Sequence, residues 1–214
     1  MLSPLQYISQ GKTAAAQLHH ICEALDGGCK WIQLRFKNAP SSEVRELAEL
    51  VKTKCRAHGA ILIVNDHPSV AKAVDADGVH LGLTDMEVAA AREILGPDKI
   101  IGGTANTLWD VLKRVEEGCR YVGLGPLRFT PTKEKLSPTL GIPGYMAILS
   151  CLKQRGASIP IYAIGGIIPE DIPGLLEAGV YGVAVSGIIT RHPDKETIIT
   201  QFNSLIYAAA THSR

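Results

Sequence analysis

Three side chains that can bind an anion stand at alternate positions near the start of the chain. Gln33, Arg35 and Lys37 lie at the end of a short apolar run. Alternate residues of an extended strand point to the same side, so one amide and two cations are expected to converge on a single anion such as a phosphate. Taken alone, Arg35 and Lys37 can also be read as solvated loop charges.

Hard oxygen ligands and a histidine follow at the next two apolar runs. Asn65 and Asp66 end one run, His80 lies within the following run, and Asp85 comes shortly after it. A small number of such oxygens is what Mg²⁺ prefers when waters and ligand phosphates complete its coordination. The structural alternatives are helix capping by Asp66 and Asp85 and a hydrogen-bonded core position for His80.

Hydroxyl groups and a lysine occupy further positions of this kind. Thr104 follows the fifth apolar run, and Thr130, Thr132 and Lys133 lie in a long segment over residues 126–140. Hydroxyls beside a lysine are suitable donors for a phosphate or diphosphate. Because long loops in compact domains are commonly functional, we expect this segment to be mobile in the free protein and to close over bound phosphates.

Glycines end the last two apolar runs, at Gly165-Gly166 and in Ser186-Gly187. A glycine lets the backbone N–H approach a ligand closely, although a tight turn uses glycine as well. A phosphate held between the last two loops, at the start of a short helix, recurs in barrels built of strand–helix units. These four positions therefore predict a phosphate site.

Short apolar runs and amphipathic segments alternate along the whole chain. The runs cover residues 5–9, 31–35, 60–65, 78–81, 99–103, 121–125, 161–164 and 181–185. The helical segments cover 13–25, one that opens at Ser41-Ser42, 68–74, 86–95, 107–117, 143–154, 169–178 and 195–210. Eight such units predict one (β/α)₈ TIM barrel domain over residues 1–214, with its site at the carboxyl ends of the strands. The rival is an open doubly wound sheet, whose usual Gly-rich first turn this chain lacks.

Composition narrows the class of partner and the compartment. Of 214 residues, 46% are hydrophobic and 5% aromatic, which suits aliphatic strands buried on both faces. A net charge of +1 gives no reason to expect nucleic acid or a membrane surface as partner. The five cysteines are odd in number and lack CxxC spacing. We therefore expect reduced thiols in a cytoplasmic protein without a signal peptide or membrane span, and a homo-oligomer is compatible with this.

The ordered set of motifs resembles the thiamine-phosphate synthase family. The segments that carry the resemblance are QLRFK at 33–37, ND at 65–66, DGVHLG at 77–82 with Asp85, GP at 125–126 with TPTK at 130–133, and AIGGI at 163–167. They stand in that family's order and cover nearly the whole chain. No single motif is decisive, but the ordered set is highly specific.

The resemblance implies a Mg²⁺-dependent enzyme that joins hydroxymethylpyrimidine diphosphate to thiazole phosphate and releases diphosphate. In that family the diphosphate leaves first, and the thiazole nitrogen captures the resulting pyrimidine cation. Asp66 and Asp85 are implied as Mg²⁺ ligands. The residues implied at the pyrimidine substrate are Gln33, Arg35, Lys37, Asn65, His80 and Lys133. Thr104 matches the family's usual serine at the rim of the fifth strand and is implied to bind substrate as well. Arg35, Thr104 and Lys133 are implied to take the catalytic part. Those implied at the thiazole phosphate are Thr130, Thr132, Gly165, Gly166, Ser186 and Gly187.

Two departures from the family pattern bear on substrate fit. Leu83-Thr84 stand where Gln-Glu is usual, and Arg128-Phe129 stand where an apolar residue and proline are more usual. Two other functions stay open: an isomerase of the same fold like thiazole tautomerase, and a non-catalytic barrel that binds phosphate ligands. Asn106, near the place where the tautomerase carries a catalytic histidine, counts against the isomerase.

Overall fold

Strands and helices alternate along the chain in the computed structural model, which describes residues 2–129 and 138–212. The strands are Leu5–Ile8 (β1), Trp31–Leu34 (β2), Ile61–Asn65 (β3), Gly78–Leu81 (β4), Ile100–Ala105 (β5), Tyr121–Leu124 (β6), Ile161–Ile164 (β7) and Gly182–Val185 (β8). The helices are Ala14–Asp26 (α1), Ser41–Ala57 (α2), Pro68–Ala73 (α3), Val88–Leu95 (α4), Leu108–Glu116 (α5), Gly141–Gln154 (α6), Ile172–Glu177 (α7), Gly187–Arg191 (α8) and Lys195–His212 (α9). A 3₁₀ turn at Pro169–Asp171 precedes α7.

The eight strands are parallel and close into a barrel, as the sequence predicts. Each strand pairs with the next along the chain, and β8 pairs with β1. Short, continuously apolar strands suit this arrangement because helices cover the outer face of the sheet and side chains fill the interior. All the carboxyl ends of the strands therefore meet at one end of the barrel.

Aromatic rings fill the interior of the barrel. Trp31 lies edge-on to Tyr121 and Tyr162, with ring centroids 4.9 and 4.8 Å apart, and all three side chains are fully buried. Gly102 makes room for this packing, because a Cβ there would overlap the ring of Tyr121. The interior is thus a packed core rather than a pore, which confines ligands to the ends of the strands.

Several predicted boundaries are wrong by a few residues. β5 continues past Gly103 to Ala105, because Thr104 and Ala105 remain paired with β6, so Thr104 lies within a strand. α4 begins at Val88 instead of residue 86, and α6 at Gly141 instead of residue 143. The helix α8 has no counterpart among the predicted segments, since its five residues are too few to show a helical period.

Helix caps agree with the sequence in some places and not in others. Thr107, the first residue of a predicted helical segment, is the N-cap of α5 and forms a capping box with Asp110. α2 begins at the predicted Ser41, but its N-cap is Pro40, without a side-chain cap bond. Capping by Asp66 and Asp85 is wrong as well, because the N-caps of α3 and α4 are His67 and Glu87. Both carboxyls are therefore available for another role.

The state of the cysteines and the character of the helices agree with what the composition predicts. All five cysteines are free. Burial raises the pKa of Cys29 to about 11 and that of Cys55 to about 12, so both remain protonated core residues. Over the residues that the structure describes, no helix is both long and apolar enough to cross a membrane.

Candidate active site

A cavity of about 220 Å³ opens at the carboxyl ends of the strands, between the loops after β7 and β8. We call it the β7–β8 cavity. Its polar lining includes Arg35, Gly165, Gly166, Ser186, Gly187 and Arg191. The structure thus brings together the four positions predicted for a phosphate and adds two arginines to them.

Backbone geometry suits the walls of the β7–β8 cavity to an anion. Gly165 and Gly166 have φ of +91° and +74°, in the left-handed region that glycine adopts without strain. The Ser186 hydroxyl donates to the Ile8 carbonyl at 2.6 Å, which ties the start of α8 to β1. Gly187 is the first residue of that helix, where N–H groups have no acceptor within the helix. These amides can serve as donors to a phosphate.

Arg191 is a cation of the cavity that sequence reasoning missed. A side chain reaches back over the helical turn before it, and the Arg191 guanidinium packs against Gly187, where a Cβ would overlap it. The available signal was an arginine four residues after the glycine of a predicted phosphate loop.

Two hydrogen bonds hold the main chain of Arg35, the other cation of the cavity. Its N–H donates to Ser9 Oγ at 2.9 Å, and its carbonyl accepts from Gln17 Nε2 at 2.9 Å.

Gln33, Arg35 and Lys37 do not line one common cavity, contrary to the expectation from strand alternation. The strand ends at Leu34, so alternation no longer applies beyond it. Gln33 is buried inside the barrel, and Arg35 lines the β7–β8 cavity. Lys37 lines a separate cavity of about 440 Å³ together with Lys12. The two cations therefore line different cavities, although the charges of both lower the pKa of Asp66.

Gln33 and Asn65 form a buried amide pair on adjacent strands. Gln33 Nε2 donates to Asn65 Oδ1 at 2.7 Å, and both side chains are more than nine-tenths buried. Gln33 Oε1 is buried and has no hydrogen-bond partner within residues 2–129 and 138–212. An unpartnered buried acceptor is costly, so this oxygen is suited to a ligand donor.

The carboxyls of Asp66 and Asp85 are hydrogen-bonded to each other. Asp66 has a left-handed backbone, with φ of +64°, and its N–H donates to the His80 carbonyl at 2.9 Å. The Gly82 N–H donates to Asp85 Oδ2 at 2.6 Å, and Lys37 Nζ lies 3.7 Å from Asp66 Oδ2. Two adjacent loops thus hold two acidic groups in contact.

The pKa values of this acidic pair move in opposite directions. Burial, followed by the hydrogen bond and the charge of Asp85, raises the pKa of Asp66 to about 7, against the lowering effect of Lys37 and Arg35. Burial raises the pKa of Asp85, but the hydrogen bonds from Asp66 and the Gly82 N–H, with the charge of Lys37, bring it below its ordinary value. A proton shared by two carboxyls occupies a place that a cation can take.

The donor set at this pair fits a magnesium ion. In the described part of the chain, no group of three or more His, Cys, Asp or Glu side chains could hold a metal. Mg²⁺ is usually held by one or two carboxylates, with waters and substrate phosphates as its other ligands. Asp66 and Asp85 supply that number.

His80 and Thr104 form the buried floor beside the acidic pair. His80 Nε2 lies 3.0 Å from Thr104 Oγ1, and His80 Nδ1 lies 3.0 Å from the Tyr121 hydroxyl. The exposed fraction is 7% for His80 and 9% for Thr104. His80 is therefore a hydrogen-bonded core histidine, the structural alternative from the sequence, and its contact with Thr104 also places it at the site.

Arg114 is a buried residue that joins the loop carrying Asp85 to the strand β5, which carries Thr104. Its guanidinium donates to the Gly82 carbonyl at 2.8 Å and to the Thr104 carbonyl at 3.2 Å, and pairs with Glu117 at 2.8 Å. Sequence reasoning missed it. The available signal was a charged residue next to Val111 on the buried face of α5.

Arg128, one of the two departures from the family pattern, joins the loops after β6 and β7. Its guanidinium contacts Asp171 Oδ1 and Oδ2 at 2.6 and 2.7 Å and donates to the Gly166 carbonyl at 2.6 Å. Its aliphatic part occupies the space above Gly166 where a Cβ would lie. We call these contacts the Arg128 clasp. Phe129 is 70% exposed beside it.

Three predicted site residues cannot be placed. Thr130, Thr132 and Lys133 fall within residues 130–137, outside the described residues, as does most of the segment expected to close over ligands. Asn106, which bears on the isomerase alternative, donates from its side chain to the Gly125 carbonyl. It therefore joins the ends of β5 and β6.

Comparison with known proteins shows one family over most of the chain. The family model described as thiamine monophosphate synthase matches residues 5–189. Thiamine-phosphate synthase from Flavobacterium johnsoniae is 52% identical over 208 residues, 97% of this chain and 98% of the relative. The enzyme of the same name from Flavobacterium psychrophilum is 54% identical over 203 residues, 95% of this chain and 98% of the relative.

Solved structures agree with this match. Thiamine phosphate pyrophosphorylase from Pyrococcus furiosus superposes with a TM-score of 0.83 at 31% identity, and the match covers 96% of each chain. A 3-hexulose-6-phosphate synthase from Salmonella typhimurium superposes with a TM-score of 0.72 at 15% identity, covering 97% of this chain and 100% of that one. At that identity the likeness concerns the fold alone.

Proposed function

Since this chain belongs to the thiamine monophosphate synthase family, we propose that it makes thiamine phosphate in a Mg²⁺-dependent, dissociative reaction between hydroxymethylpyrimidine diphosphate and thiazole phosphate. The observation that carries the proposal is the presence of two distinct polar regions at one end of the barrel, one suited to a cation with a diphosphate and one suited to a phosphate. The acidic pair with Lys37 lies on one side, and the β7–β8 cavity with two arginines lies on the other. Each region suits one phosphorylated substrate.

The pyrimidine substrate is assigned to the acidic pair and the buried amides. Asp66 and Asp85 would hold Mg²⁺, and Lys37 would contact the diphosphate beside them. Bound Mg²⁺ supplies electrostatic stabilisation of the charge on the departing diphosphate. Gln33 Oε1 offers its unpartnered acceptor to a donor on the pyrimidine ring, below the diphosphate.

The thiazole phosphate is assigned to the β7–β8 cavity. Amides near Gly166 and Gly187 and the guanidinium of Arg191 line the space that its phosphate would fill. Arg35 lines the same cavity, and its charge also lowers the pKa of Asp66. Arg35 can therefore stabilise negative charge on both substrates. The resemblance adds Thr130 and Thr132 to the contacts of this phosphate, and Lys133 to those of the diphosphate of the pyrimidine substrate.

The reaction needs charge stabilisation and positioning more than proton transfer. The bond between the pyrimidine methylene carbon and the diphosphate oxygen breaks, and both electrons leave with the oxygen. The lone pair of the thiazole nitrogen then forms the new carbon–nitrogen bond. Arg35 and Lys37 stabilise the leaving group, while the β7–β8 cavity holds the nucleophile in place.

A direct assay tests the proposal. The protein with Mg²⁺ and both substrates should form thiamine phosphate, and removal of the metal with EDTA should stop the reaction. Asp85→Ala should lower turnover on the order of a hundredfold, because a single electrostatic contact at a reacting centre contributes about that much. Glu87→Ala, an exposed neighbour paired with Lys113 at 3.8 Å, is the matched control and should behave as wild type. Full activity of Asp85→Ala at low Mg²⁺ would refute the metal assignment.

The dissociative route has its own test. An electron-withdrawing substituent on the pyrimidine ring destabilises a pyrimidine cation, so it should slow single-turnover chemistry by orders of magnitude. Binding of that analogue should stay close to that of the natural substrate, because the diphosphate is unchanged. A weak response of the chemical step would indicate direct displacement by the thiazole nitrogen instead.

The free thiols support a proposal on the compartment. Five cysteines without a disulfide are typical of a reducing environment. We therefore assign the enzyme to the cytoplasm. Fractionation of cells that produce the protein would test this assignment.

A further inference from the structure

A chain of buried hydrogen bonds runs under the site from β1 to β5. Gln6 Nε2 lies 3.3 Å from the Tyr121 hydroxyl, which lies 3.0 Å from His80 Nδ1, and His80 Nε2 lies 3.0 Å from Thr104 Oγ1. The exposed fraction is 1% for Gln6, 0% for Tyr121, 7% for His80 and 9% for Thr104. Water has little access to these polar groups, and the hydrogen bonds of this series help to satisfy them.

The chemistry of these groups determines which of them donates in each hydrogen bond of the series. An amide nitrogen can only donate, so the Tyr121 oxygen accepts from Gln6. The phenol has one proton of its own, and of the partners that the structure describes for this hydroxyl within residues 2–129 and 138–212, His80 Nδ1 is the one that can accept it. The proton therefore goes to His80 Nδ1. Burial raises the pKa of Tyr121 above its usual range, which keeps the phenol a donor.

The same logic continues to the site. When Nδ1 accepts a hydrogen bond, the neutral imidazole carries its proton on Nε2. That proton is donated to Thr104 Oγ1. The Thr104 oxygen is then an acceptor toward His80, and its own hydroxyl proton is left for a different acceptor.

Packing holds the phenol in place. The ring of Tyr121 lies edge-on to Trp31 at 4.9 Å and to Tyr162 at 5.5 Å between centroids. A Cβ at Gly102 would overlap this ring, so glycine at that position is what admits it. A fully buried ring in such contacts has one orientation, so the position of its hydroxyl oxygen is fixed as well.

We propose that Tyr121 is a positioning residue which, with Gln6 behind it, fixes His80 as the Nε2–H tautomer and thereby turns the Thr104 hydroxyl into a hydrogen-bond donor toward the pyrimidine substrate. This inference rests on the proposed function for the identity of the ligand. It predicts that the ligand atom facing Thr104 is an acceptor. A threonine or serine is equally suited to this task, since only the hydroxyl is used.

Imidazole NMR of the wild-type protein tests the tautomer without any turnover. A long-range ¹H–¹⁵N correlation spectrum should show His80 chiefly as the Nε2–H tautomer. In Tyr121→Phe the donor to Nδ1 is lost, and the fraction of that tautomer should fall. Gln6→Met removes the donor behind Tyr121 and should act in the same direction, which keeps the test available if Tyr121→Phe folds poorly.

Kinetics test the effect on the ligand. Tyr121→Phe should lower kcat/KM for hydroxymethylpyrimidine diphosphate by about tenfold, as the loss of one well-placed hydrogen bond does, and leave KM for thiazole phosphate unchanged. Thr104→Ser should keep most of the activity, whereas Thr104→Val should not. The double variant Tyr121→Phe with Thr104→Val should lose no more than Thr104→Val alone, because both changes remove the same donated bond.

Tyr162→Phe is the matched control. It removes one buried hydroxyl from the same aromatic cluster, but this hydroxyl donates to the Ser3 carbonyl at 2.8 Å, away from His80. It should leave the His80 tautomer and both kinetic constants as in wild type. An Nδ1–H tautomer in the wild type, or additive losses in the double variant, would overturn the inference. Absence of thiamine phosphate synthesis by the wild type would instead overturn the proposed function, and the NMR result would still decide the tautomer.

Discussion

At the scale of single residues, the acidic pair lowers the stability of the folded protein and is suited to bind a cation. Asp66 and Asp85 are in contact and partly buried, and burial of Asp66, followed by its hydrogen bond to Asp85 and the charge of Asp85, raises the pKa of Asp66 to about 7. The charges of Lys37 and Arg35 offset part of that rise. A cation site built in this way is unfavourable without its cation.

Asp66→Asn should therefore stabilise the metal-free protein at alkaline pH. The folded-state pKa of Asp66 is raised from 3.8 to about 7, so the folded state binds the proton more tightly than the unfolded state. The free energy of unfolding of the wild type then falls as pH rises from about 4 to about 7 and stays low above it. Asparagine tolerates the left-handed backbone of this position. Because its side chain does not titrate, the free energy of unfolding of the variant does not fall in this way as the pH rises. Denaturant unfolding at pH 8 in EDTA should favour the variant on the order of 2 kcal/mol.

The difference should close when Mg²⁺ is added, because the cation takes the place of the proton in the wild type only. Unfolding curves at pH 5 provide the internal control. Most of the fall in the free energy of unfolding of the wild type has not yet occurred at that pH, so the two proteins should differ less. A wild type as stable as Asp66→Asn at pH 8 without metal would show that the two carboxyls do not repel each other in the folded protein.

Arg191 allows a second prediction at this scale. Arg191→Ala should raise KM for thiazole phosphate on the order of tenfold or more, since a hydrogen bond to a charged group contributes about 1.5–3 kcal/mol. KM for the pyrimidine substrate should change little, because the β7–β8 cavity is separate from the acidic pair. Steady-state kinetics with each substrate varied in turn measures both constants. Arg155→Ala, an exposed arginine at the end of α6, is the control. Equal changes in both KM values would contradict the separation of the two regions.

At the scale of elements, the loops are held to one another by buried or bidentate arginines. Arg114 binds the Gly82 carbonyl in the loop after β4 and the Thr104 carbonyl in β5, and the Arg128 clasp joins the loops after β6 and β7. Bidentate pairing with a carboxylate gives fixed geometry as well as charge. The loops that carry the site are thus positioned by contacts between elements, in addition to the strands beneath them.

Breaking the Arg128 clasp should loosen one wall of the β7–β8 cavity. Arg128→Ala should raise KM for thiazole phosphate several-fold and leave KM for the pyrimidine substrate unchanged, because Gly166 lines only that cavity. Arg128→Lys should recover little, since lysine lacks the planar fork that contacts Asp171 and Gly166 together. Kinetics of both variants measure the effect.

Lys99→Ala is the matched control for the clasp. Lys99 pairs with Asp75 at 2.6 Å, a contact of similar length at the opposite end of the barrel. It should leave both KM values unchanged. If Arg128→Ala and Lys99→Ala gave the same kinetic profile, the clasp would be an ordinary surface ion pair.

At the scale of the whole molecule, the site exists only in the closed barrel. Its groups come from the ends of β2, β3, β4, β5, β7 and β8, and no short segment contains more than two or three of them. A ligand that contacts several of these groups binds the folded state and not the unfolded chain. Binding should therefore appear as thermal stabilisation.

Mg²⁺ with inorganic pyrophosphate should raise Tm by roughly 5–10 °C. At about a hundred times Kd, a ligand stabilises by about 2.7 kcal/mol, and for a domain of this size each kcal/mol shifts Tm by about 2–4 °C. Differential scanning fluorimetry with and without EDTA measures the shift. Pyrophosphate alone should give a smaller shift, and Asp85→Ala should lose the metal-dependent part. A shift independent of both metal and Asp85 would place the anion elsewhere.

The sequence by itself determined the architecture and the kinds of residue at the strand ends. Alternation of eight apolar runs with amphipathic segments is a local property that survives without knowledge of any long-range contact, which is why the barrel and most element positions are correct. Glycines at Gly165 and Gly166 and the order of the motifs also follow from the chain alone. Thr107 illustrates the same point, because a capping box involves residues only three apart.

Only the tertiary structure decided which of these residues meet. Arg35 and Lys37 are two positions apart but line different cavities, because β2 ends at Leu34 and the chain turns there. Asp66 meets Asp85, Tyr121 meets His80, and Arg128 meets Asp171 across separations that local periodicity cannot encode. Closure of the barrel and the register of its strands bring these pairs within hydrogen-bond distance. Those two properties depend on the packing of the whole interior, so the partners within the site are a consequence of the complete fold.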